Sequence, residues 1–324
     1  MAISKEQYQK EIQPSIGILN MVSRMLFNKN GMKILNKAGV LTKGKRIKGL
    51  HCENIYITSR DGGNDIRVRI FKPLNQSGKL PGMLYLHGGG FVMGNPEGYL
   101  PVIEKYIKTK PCIIIAPDYR KAFNAPYPAA FNDCYDTLLW MNENAEQLGI
   151  IKDKLIVAGH SAGGGLTAAI TLKATNTNDV KVAFQIPVYP MLDDRQNTAS
   201  ATDNNAPVWN SKTNKIGWSA YLSDLIKQGV EIPAYAAAAR TKDYSFMPPT
   251  ISFVGDLEPF RDETIAYIEN LKKAGVPIEF KLFKGCFHAF EIILSKLEIS
   301  KEAWAFLLHS YSNYVDKYVY SSTK

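Results

Sequence analysis

From residue 80 onward, short apolar runs alternate with helix-like stretches, and this alternation constrains the fold more than any other feature of the chain. The runs predicted to be strands are residues 83–86, 113–116, 155–158, 182–186, 251–254 and 278–283. Strands that alternate with helices build a mainly parallel sheet with helices on both faces. The pattern therefore predicts an α/β protein with one central sheet flanked by helices.

The segments outside this alternation predict additions to the sheet. Residues 3–40 carry apolar positions at helical spacing, which predicts amphipathic helices. Residues 51–58 and 66–71 alternate in polarity across a turn at residues 60–63, as in a β-hairpin. Between residues 189 and 249 the strand pattern lapses, which indicates an insertion over the sheet rather than another strand unit.

The composition excludes several classes of function. The chain has 324 residues, of which 45% are hydrophobic, as in a soluble globular protein. Its formal net charge is +9, but the lysines look scattered rather than gathered into one basic stripe, so we expect no nucleic-acid partner. No window is apolar enough to span a bilayer and no signal peptide is evident, so we expect no stable membrane insertion. With four widely spaced cysteines that suggest neither zinc nor disulfides, the chain is expected to be cytoplasmic.

A nucleophile elbow of the form G-x-S-x-G is formed by the run Gly159-His160-Ser161-Ala162-Gly163. This run directly follows a predicted strand and precedes a helix-like stretch, which is the context that the motif requires. Gly159 and Gly163 permit the close backbone approach of such a turn, and the helix N-terminus favours negative charge on the serine oxygen. Ser161 is therefore the predicted nucleophile.

A second motif follows the predicted strand at residues 83–86 and consists of His87, Gly88, Gly89 and Gly90. Successive glycines let backbone N–H groups point into a cavity, and acyl transfer needs such donors at its tetrahedral oxyanion. In lipases and esterases an HGGG loop of this kind is partnered by the N–H of the residue after the nucleophile, which here is Ala162. The two motifs together predict an α/β-hydrolase fold with an acyl-transfer site.

The triad of this fold follows the order serine, acid, histidine, which narrows the choice of the remaining catalytic residues. His288 follows the last predicted strand in a glycine-containing loop and is the predicted general base. The acid stays open between Asp256 and Glu258, which both follow the preceding predicted strand. Asp262 and Glu263 are expected to be charges in the first turn of the next helix.

Several further motifs accompany these residues. They are Pro-Asp-Tyr-Arg at 117–120, Pro-Tyr-Pro-Ala-Ala at 126–130, Tyr-Pro at 189–190 and Glu-Pro-Phe-Arg-Asp-Glu at 258–263. With them the chain, from about residue 50 to 291, resembles the hormone-sensitive-lipase-like esterases, the α/β-hydrolase fold-3 family of bacterial carboxylesterases and acetyl esterases. Family members usually begin the last motif with the aspartate of the triad. The resemblance therefore implies that Glu258 is the acid, with Asp256 as the alternative if the longer side chain does not fit.

The resemblance also implies a division of the chain. Residues 1–49 and the insertion at 191–248 would form a cap over a core made of residues 50–190 and 249–324. Five residues would then be candidates for lining the acyl or alcohol pocket, namely Phe91, Met93, Tyr189, Trp209 and Trp218.

The sequence thus predicts a serine carboxylesterase that needs neither cofactor nor metal. Ser161 would attack the ester carbonyl, His288 would take its proton, and Glu258 would hold the imidazolium. The oxyanion would be bound by three backbone N–H groups, those of Gly89, Gly90 and Ala162. An amidase, a peptidase or a lipase would use the same residues, whereas a non-catalytic receptor of this fold would be expected to lack the histidine.

The expected partner is a small-molecule ester, and the sequence is compatible with a homodimer. We expect a preference for short acyl chains, because the implied cap is compact and the chain lacks a long exposed apolar surface for lipid interfaces.

Overall fold

Eight strands form one sheet in the computed structural model, which describes residues 3–62 and 65–321. The strands are β1 (Leu50–Thr58), β2 (Asp65–Pro73), β3 (Gly82–Leu86), β4 (Ile113–Pro117), β5 (Leu155–His160), β6 (Val182–Val188), β7 (Thr250–Gly255) and β8 (Ile278–Phe283). Their order is β1-β2-β4-β3-β5-β6-β7-β8, and β2 runs antiparallel to both of its neighbours. The predicted strands and hairpin are confirmed, although Gly63 of the predicted turn lies outside the described residues.

Helices precede the sheet, connect its strands and follow it. They are α1 (Ile16–Leu26), α2 (Lys29–Gly39), α3 (Leu100–Thr109), α4 (Ala129–Glu143), α5 (Ala145–Leu148), α6 (Ala162–Thr177), α7 (Ser211–Tyr221), α8 (Ser223–Gln228), α9 (Arg261–Lys273), α10 (Phe290–Ile293) and α11 (Glu298–Tyr314). Short 3-10 turns occur at Lys5–Gln7, Gln13–Ser15, Val40–Thr42, Pro96–Tyr99 and Ala238–Arg240, and a π-helical stretch, Val315–Tyr320, follows α11. Within residues 3–62 and 65–321, each helix is too short or too polar to cross a membrane.

The central strands are buried on both faces of the sheet. Alternate residues of a strand point to opposite faces, so each strand contributes to two apolar clusters. In β3, Leu84 and Leu86 belong to one apolar cluster, whereas Met83 and Tyr85 belong to a second. Helices α4 and α6 contribute to the first cluster, and α3 and α11 contribute to the second. Strands buried in this way need near-continuous apolar sequences, which explains the runs that predicted them.

The loops that carry the predicted site residues all leave the sheet at the carboxyl ends of strands. Residues 87–90 follow β3, Ser161 follows β5, Glu258 follows β7 and His288 follows β8. The chain passes from β3 to β4 on one side, while β5 pairs with β3 on the other, so the direction of winding changes at this point. Open α/β sheets bind their ligands at such a point.

The N-terminal helices and the insertion contact each other above this edge. Residues 191–248 contain α7 and α8 and no strand, as the sequence predicted. The backbone N–H of Val208, in the insertion, donates to Ser23 Oγ of α1 at 2.7 Å. The two segments that lie outside the sheet therefore meet next to the site loops.

Candidate active site

Ser161 lies in the sharp turn between β5 and α6. Its φ of 59° and ψ of −121° belong to a conformation that residues other than glycine rarely adopt. The Ser161 N–H donates to Val188 O at 3.0 Å, and Ser161 O accepts from Gly165 N at 2.9 Å. A Cβ atom at Gly163 would approach Leu86 O to 2.1 Å, so the turn can close only with glycine at that position.

Ser161, His288 and Glu258 are joined in one chain of hydrogen bonds. His288 Nε2 lies 2.9 Å from Ser161 Oγ, and His288 Nδ1 lies 2.5 Å from Glu258 Oε2. The other carboxylate oxygen of Glu258 accepts the Gly255 N–H at 3.0 Å. Glu258 is 0% exposed and Ser161 is 5% exposed, so the chain runs from the protein interior to a nearly buried hydroxyl.

Asp256, the alternative acid, is hydrogen-bonded to the backbone of the loop after β8. Its Oδ1 accepts the Gly285 N–H at 2.6 Å. Burial raises the pKa of Asp256, and hydrogen bonds from the backbone of Gly285 and Cys286 oppose that rise. Of the two carboxylates that the sequence left open, Glu258 is the one hydrogen-bonded to His288, and Asp256 fastens the loop that carries His288.

Aromatic rings surround the imidazole of His288. Tyr189 and Phe260 meet it edge to face, with ring centroids 4.7 Å and 5.1 Å away. Trp209, from the insertion, lies farther off, at 6.5 Å. Edge-to-face packing of this kind restricts the rotation of the ring and keeps its two nitrogens aligned with Ser161 and Glu258.

The glycine loop after β3 lies beside Ser161, and Gly89 and Gly90 line the same cavity as the serine. Gly89 has a φ of 124°, and a Cβ atom there would approach Met93 O to 2.1 Å. Both restrictions explain why glycine occupies this position. Ala162 is the first residue of α6, and N–H groups in a first helical turn have no partner inside the helix.

His87 braces the glycine loop from behind. Its ring stacks on Tyr119 with centroids 4.1 Å apart, and the Tyr119 hydroxyl donates to His87 O at 2.8 Å. Burial, followed by the nearby Lys121 ammonium, lowers the pKa of His87 to about 3. The neutral ring can then donate from Nδ1 to Gly88 O, at 2.7 Å, and accept at Nε2 from Lys121 Nζ, at 3.2 Å. His87 is therefore placed to hold the loop and not to exchange protons with a substrate.

The cavity at Ser161 has a volume of about 220 Å³ and a mainly apolar lining. Three of the five predicted pocket residues line it, namely Met93, Tyr189 and Trp209. The prediction was wrong for Phe91 and Trp218, which pack against each other with ring centroids 5.4 Å apart. The chain turns at Phe91, where φ is 64°, and directs that ring into the apolar core under the insertion.

Two segments outside the sheet complete the cavity wall. Phe27, the residue directly after α1, contributes from the N-terminal segment. Val208 and Trp209 contribute from the insertion. Access to Ser161 is thus bounded by both segments.

Known proteins share this arrangement of sequence and fold. Residues 83–292 match a family model described as the alpha/beta hydrolase fold. The carboxylesterase NlhH of Mycobacterium tuberculosis is 32% identical over 221 residues, which cover 68% of this chain and 69% of that protein. The chain belongs to the hormone-sensitive-lipase-like α/β-hydrolase fold-3 family.

Two further esterases agree with this assignment. The arylesterase of Saccharolobus solfataricus is 31% identical over 70% of this chain and 73% of its own length. The structure of a bacterial heroin esterase superposes with a TM-score of 0.87, at 29% identity, over 96% of this chain and 99% of that one. This member of the family is a carboxylic ester hydrolase.

The family motif that begins at Glu258 ends at Glu263, a second carboxyl group whose burial the sequence did not reveal. Glu263 lies in the first turn of α9, as predicted, but it is only 2% exposed. Its Oε1 accepts the Leu192 N–H at 2.7 Å, and burial raises its pKa well above the ordinary value. Glu263 therefore ties α9 to the start of the insertion, whereas Asp262 accepts the Ser200 N–H at 2.8 Å.

Glu291 is a residue near the site that sequence reasoning missed. It is 0% exposed, and the Tyr189 hydroxyl donates to its Oε1 at 2.5 Å. Burial raises the pKa of Glu291 to about 8, so its carboxyl group is protonated at neutral pH. The one available signal was a lone carboxyl residue within the apolar stretch Phe290-Glu291-Ile292-Ile293, shortly after His288.

This buried acid predicts how stability depends on pH. Unfolded Glu291 ionises near 4.5, whereas folded Glu291 keeps its proton until about pH 8. The folded state therefore binds more protons across this window and loses stability as the pH rises. Glu291→Gln retains an acceptor for Tyr189 but cannot ionise. Between pH 4.5 and 8, we expect wild type to lose stability relative to this variant, on the order of a few kcal/mol, measured by denaturant unfolding.

The control for this measurement is Glu269→Gln, a change at an exposed position of α9. Its unfolding free energy should follow that of the wild type at every pH. If the wild type and Glu291→Gln gave parallel profiles, the carboxyl group of Glu291 would not be neutral in the folded protein.

Proposed function

We propose that the protein hydrolyses short-chain carboxylic esters with Ser161 as nucleophile, His288 as general base and Glu258 as the acid that orients it. The observation that carries this proposal is the unbroken chain of hydrogen bonds from buried Glu258 through His288 to Ser161 Oγ, ending at a cavity. The short-chain preference rests on the size of that cavity.

In the acylation step, Ser161 Oγ attacks the ester carbonyl carbon while His288 Nε2 accepts the hydroxyl proton. Glu258 accepts the hydrogen bond from His288 Nδ1, holds the imidazole in the required tautomer, and stabilises the imidazolium that forms. The resulting oxyanion is bound by backbone N–H groups, those of Gly89, Gly90 and Ala162. The imidazolium then protonates the departing alcohol, which leaves an acyl-serine.

In the deacylation step, water takes the place of the alcohol. His288 removes a proton from the water as it attacks the acyl-serine carbonyl, and the same N–H groups stabilise the second oxyanion. Collapse of this intermediate returns the proton to Ser161 Oγ and releases the carboxylic acid. Each step uses side chains and backbone of this chain alone.

The N-terminal segment, residues 1–49, and the insertion, residues 191–248, are proposed to act as a cap. Phe27 and Trp209 support this division, because each reaches the cavity from one of the two segments. A cap of this kind excludes water from the acyl group and sets the length of chain that fits.

The proposed partner is a small-molecule ester, and the proposed location is the cytoplasm. All four cysteines are buried and unpaired, which suits a reducing compartment. A homodimer stays a prediction that gel filtration with light scattering can test.

The substrate range is tested with p-nitrophenyl esters of increasing acyl length. We expect kcat/KM to be highest for acetate or butyrate and to fall steeply beyond hexanoate, because the cavity of about 220 Å³ cannot hold a long chain. Trp209→Phe removes part of the cavity wall and should raise the ratio of hexanoate to acetate by ~10-fold, the value of a methylene or two in an apolar pocket. The ratio is measured from initial rates.

Trp218→Phe is the matched control, because Trp218 is equally buried but does not line the cavity. It should leave the chain-length profile unchanged. Faster hydrolysis of emulsified long-chain triglycerides than of soluble acetate or butyrate esters would instead indicate a lipase.

A further inference from the structure

Helix α1 exposes an apolar surface that the proposed reaction does not use. Ile18, Met21, Val22 and Met25 are 61%, 56%, 37% and 67% exposed. These four residues, the α1 stripe, recur at helical spacing on one side, while Ile16 belongs to the buried side. The expectation that the chain lacks a long exposed apolar surface is therefore wrong for this helix. Contiguous apolar surface of this kind marks a site of interaction rather than a solvated face.

The chain around the α1 stripe carries most of the net positive charge. Residues 12–49 contain no aspartate or glutamate and eight basic residues, which are Arg24, Lys29, Lys33, Lys37, Lys43, Lys45, Arg46 and Lys48. All eight are exposed, and Lys43 forms an ion pair with Asp118 at 2.7 Å. The net positive charge is thus concentrated in this segment because acidic residues are absent from it. The interpretation of the lysines as scattered overlooked that absence.

Apolar and basic side chains are interleaved beyond α1 as well. Ile34 in α2 is 64% exposed, and Leu41 in the turn after α2 is 87% exposed. On another side of α2, Lys29 and Lys33 rim a groove of about 870 Å³ that is also rimmed by lysines of α7 and α8. Lys37, which is also exposed, lies one turn beyond Ile34 on α2, so an apolar and a cationic side chain are neighbours on this helix.

We propose that α1 and α2 dock the enzyme reversibly on the surface of an anionic lipid bilayer. The α1 stripe would enter the boundary between headgroups and acyl chains, and the surrounding lysines would contact lipid phosphates. A second copy of this chain fits the surface poorly, because the basic residues of the two copies would face each other. The complementary partner is one that presents negative charge above an apolar layer. An anionic bilayer does so, with its headgroups above its acyl chains.

The docked surface adjoins the entrance to Ser161. Phe27, the residue directly after α1, lines the cavity, and Ile293, which is 39% exposed, lies on the same cavity wall. An ester dissolved in the bilayer would then reach the cavity without crossing bulk water. This role is peripheral adsorption, and it goes beyond the hydrolysis of soluble esters proposed above.

The test is co-sedimentation of the full chain with extruded vesicles of phosphatidylcholine alone or mixed with an equal part of phosphatidylglycerol. We expect binding to the anionic vesicles only, weakened by high salt. Lys29→Gln/Lys33→Gln/Lys37→Gln should lower the partition coefficient by ~100-fold, since each lysine near the surface contributes about 5-fold and the three factors multiply. Ile18→Gln/Met21→Gln/Met25→Gln should lower it by ~10-fold or more through the lost apolar contact.

Matched controls change exposed residues of the same types elsewhere. Leu74→Gln/Phe246→Gln replaces apolar side chains that are 64% and 76% exposed, and Lys272→Gln/Lys273→Gln removes lysines of α9. Both should bind like wild type, and every variant should hydrolyse a soluble acetate ester normally. Equal binding to neutral vesicles, no binding to either kind, or undiminished binding by the α1 variant would overturn the proposal. A dimer abolished by that variant, without vesicle binding, would assign the surface to a second copy.

Discussion

Replacing Ser161 with alanine is expected to lower kcat for ester hydrolysis by ~10³-fold or more, because no acyl-enzyme can form without the attacking oxygen. The change removes one atom from a side chain that lies at the cavity, so the fold should be retained. Initial rates with p-nitrophenyl butyrate measure the loss, and thermal melts verify that the variant is folded.

Ser252→Ala is the control for this variant. Ser252 is also buried, but its hydroxyl donates to Pro187 O at 2.6 Å inside the sheet and does not line the cavity. Its replacement should leave turnover close to that of the wild type. Near-normal turnover by folded Ser161→Ala would remove Ser161 from the mechanism.

Replacing Glu258 with glutamine is expected to lower kcat by ~10²- to 10⁴-fold, the range found for triad acids. The amide cannot stabilise the imidazolium, and it can present an N–H to His288 Nδ1, which favours the wrong tautomer. Asp256→Asn should cost far less, because its remaining amide oxygen can still accept the Gly285 N–H that Asp256 Oδ1 accepts in the wild type. The kcat of each of the two variants is measured, and the comparison requires that the two variants be equally stable.

The ranking of these two variants decides the acid. A larger loss in Asp256→Asn than in Glu258→Gln would make Asp256 the acid and Glu258 a structural carboxylate that accepts the Gly255 N–H. Equal and small losses in both would leave His288 without a partner and would contradict the triad altogether.

The strands were predictable because they are buried on both faces. A strand of this type must be apolar over nearly its whole length, and β3, β4 and β5 are buried at every position. The elbow was predictable for a related reason, since a Cβ atom at Gly163 would strike the backbone at Leu86. Where two backbone segments approach so closely that no side chain fits, the position must be glycine, and this can be read from the sequence.

The partners of polar side chains were less predictable, because they depend on contacts between distant residues. Ser161 and His288 are 127 residues apart, and only the order of motifs in a known fold connects them. Spacing could not choose between Asp256 and Glu258, since that choice depends on how the loop after β7 folds back. Glu291 was missed because a single carboxyl residue in an apolar stretch does not indicate which residue it contacts. Its partner, Tyr189, lies 102 residues away in the sequence.

The N-terminal surface was misjudged for a different physical reason. Helical periodicity showed that α1 has apolar positions, but it could not show which side of the helix is covered by the rest of the protein. Ile16 is 6% exposed and Ile18 is 61% exposed, two residues apart in the same helix. Exposure of this kind is set by tertiary packing, so it appears only once α1 is placed against the insertion.

The central claim, that Ser161 is the nucleophile activated by His288, is tested most directly by labelling with a serine-directed fluorophosphonate. Peptide mass spectrometry of the labelled wild type should find a single adduct on Ser161. The adduct should be absent from Ser161→Ala, and its rate of formation should fall by ~10²-fold or more in His288→Ala, because the hydroxyl then lacks its base. An adduct on another serine with loss of esterase activity, or full activity after complete labelling of Ser161, would contradict the account.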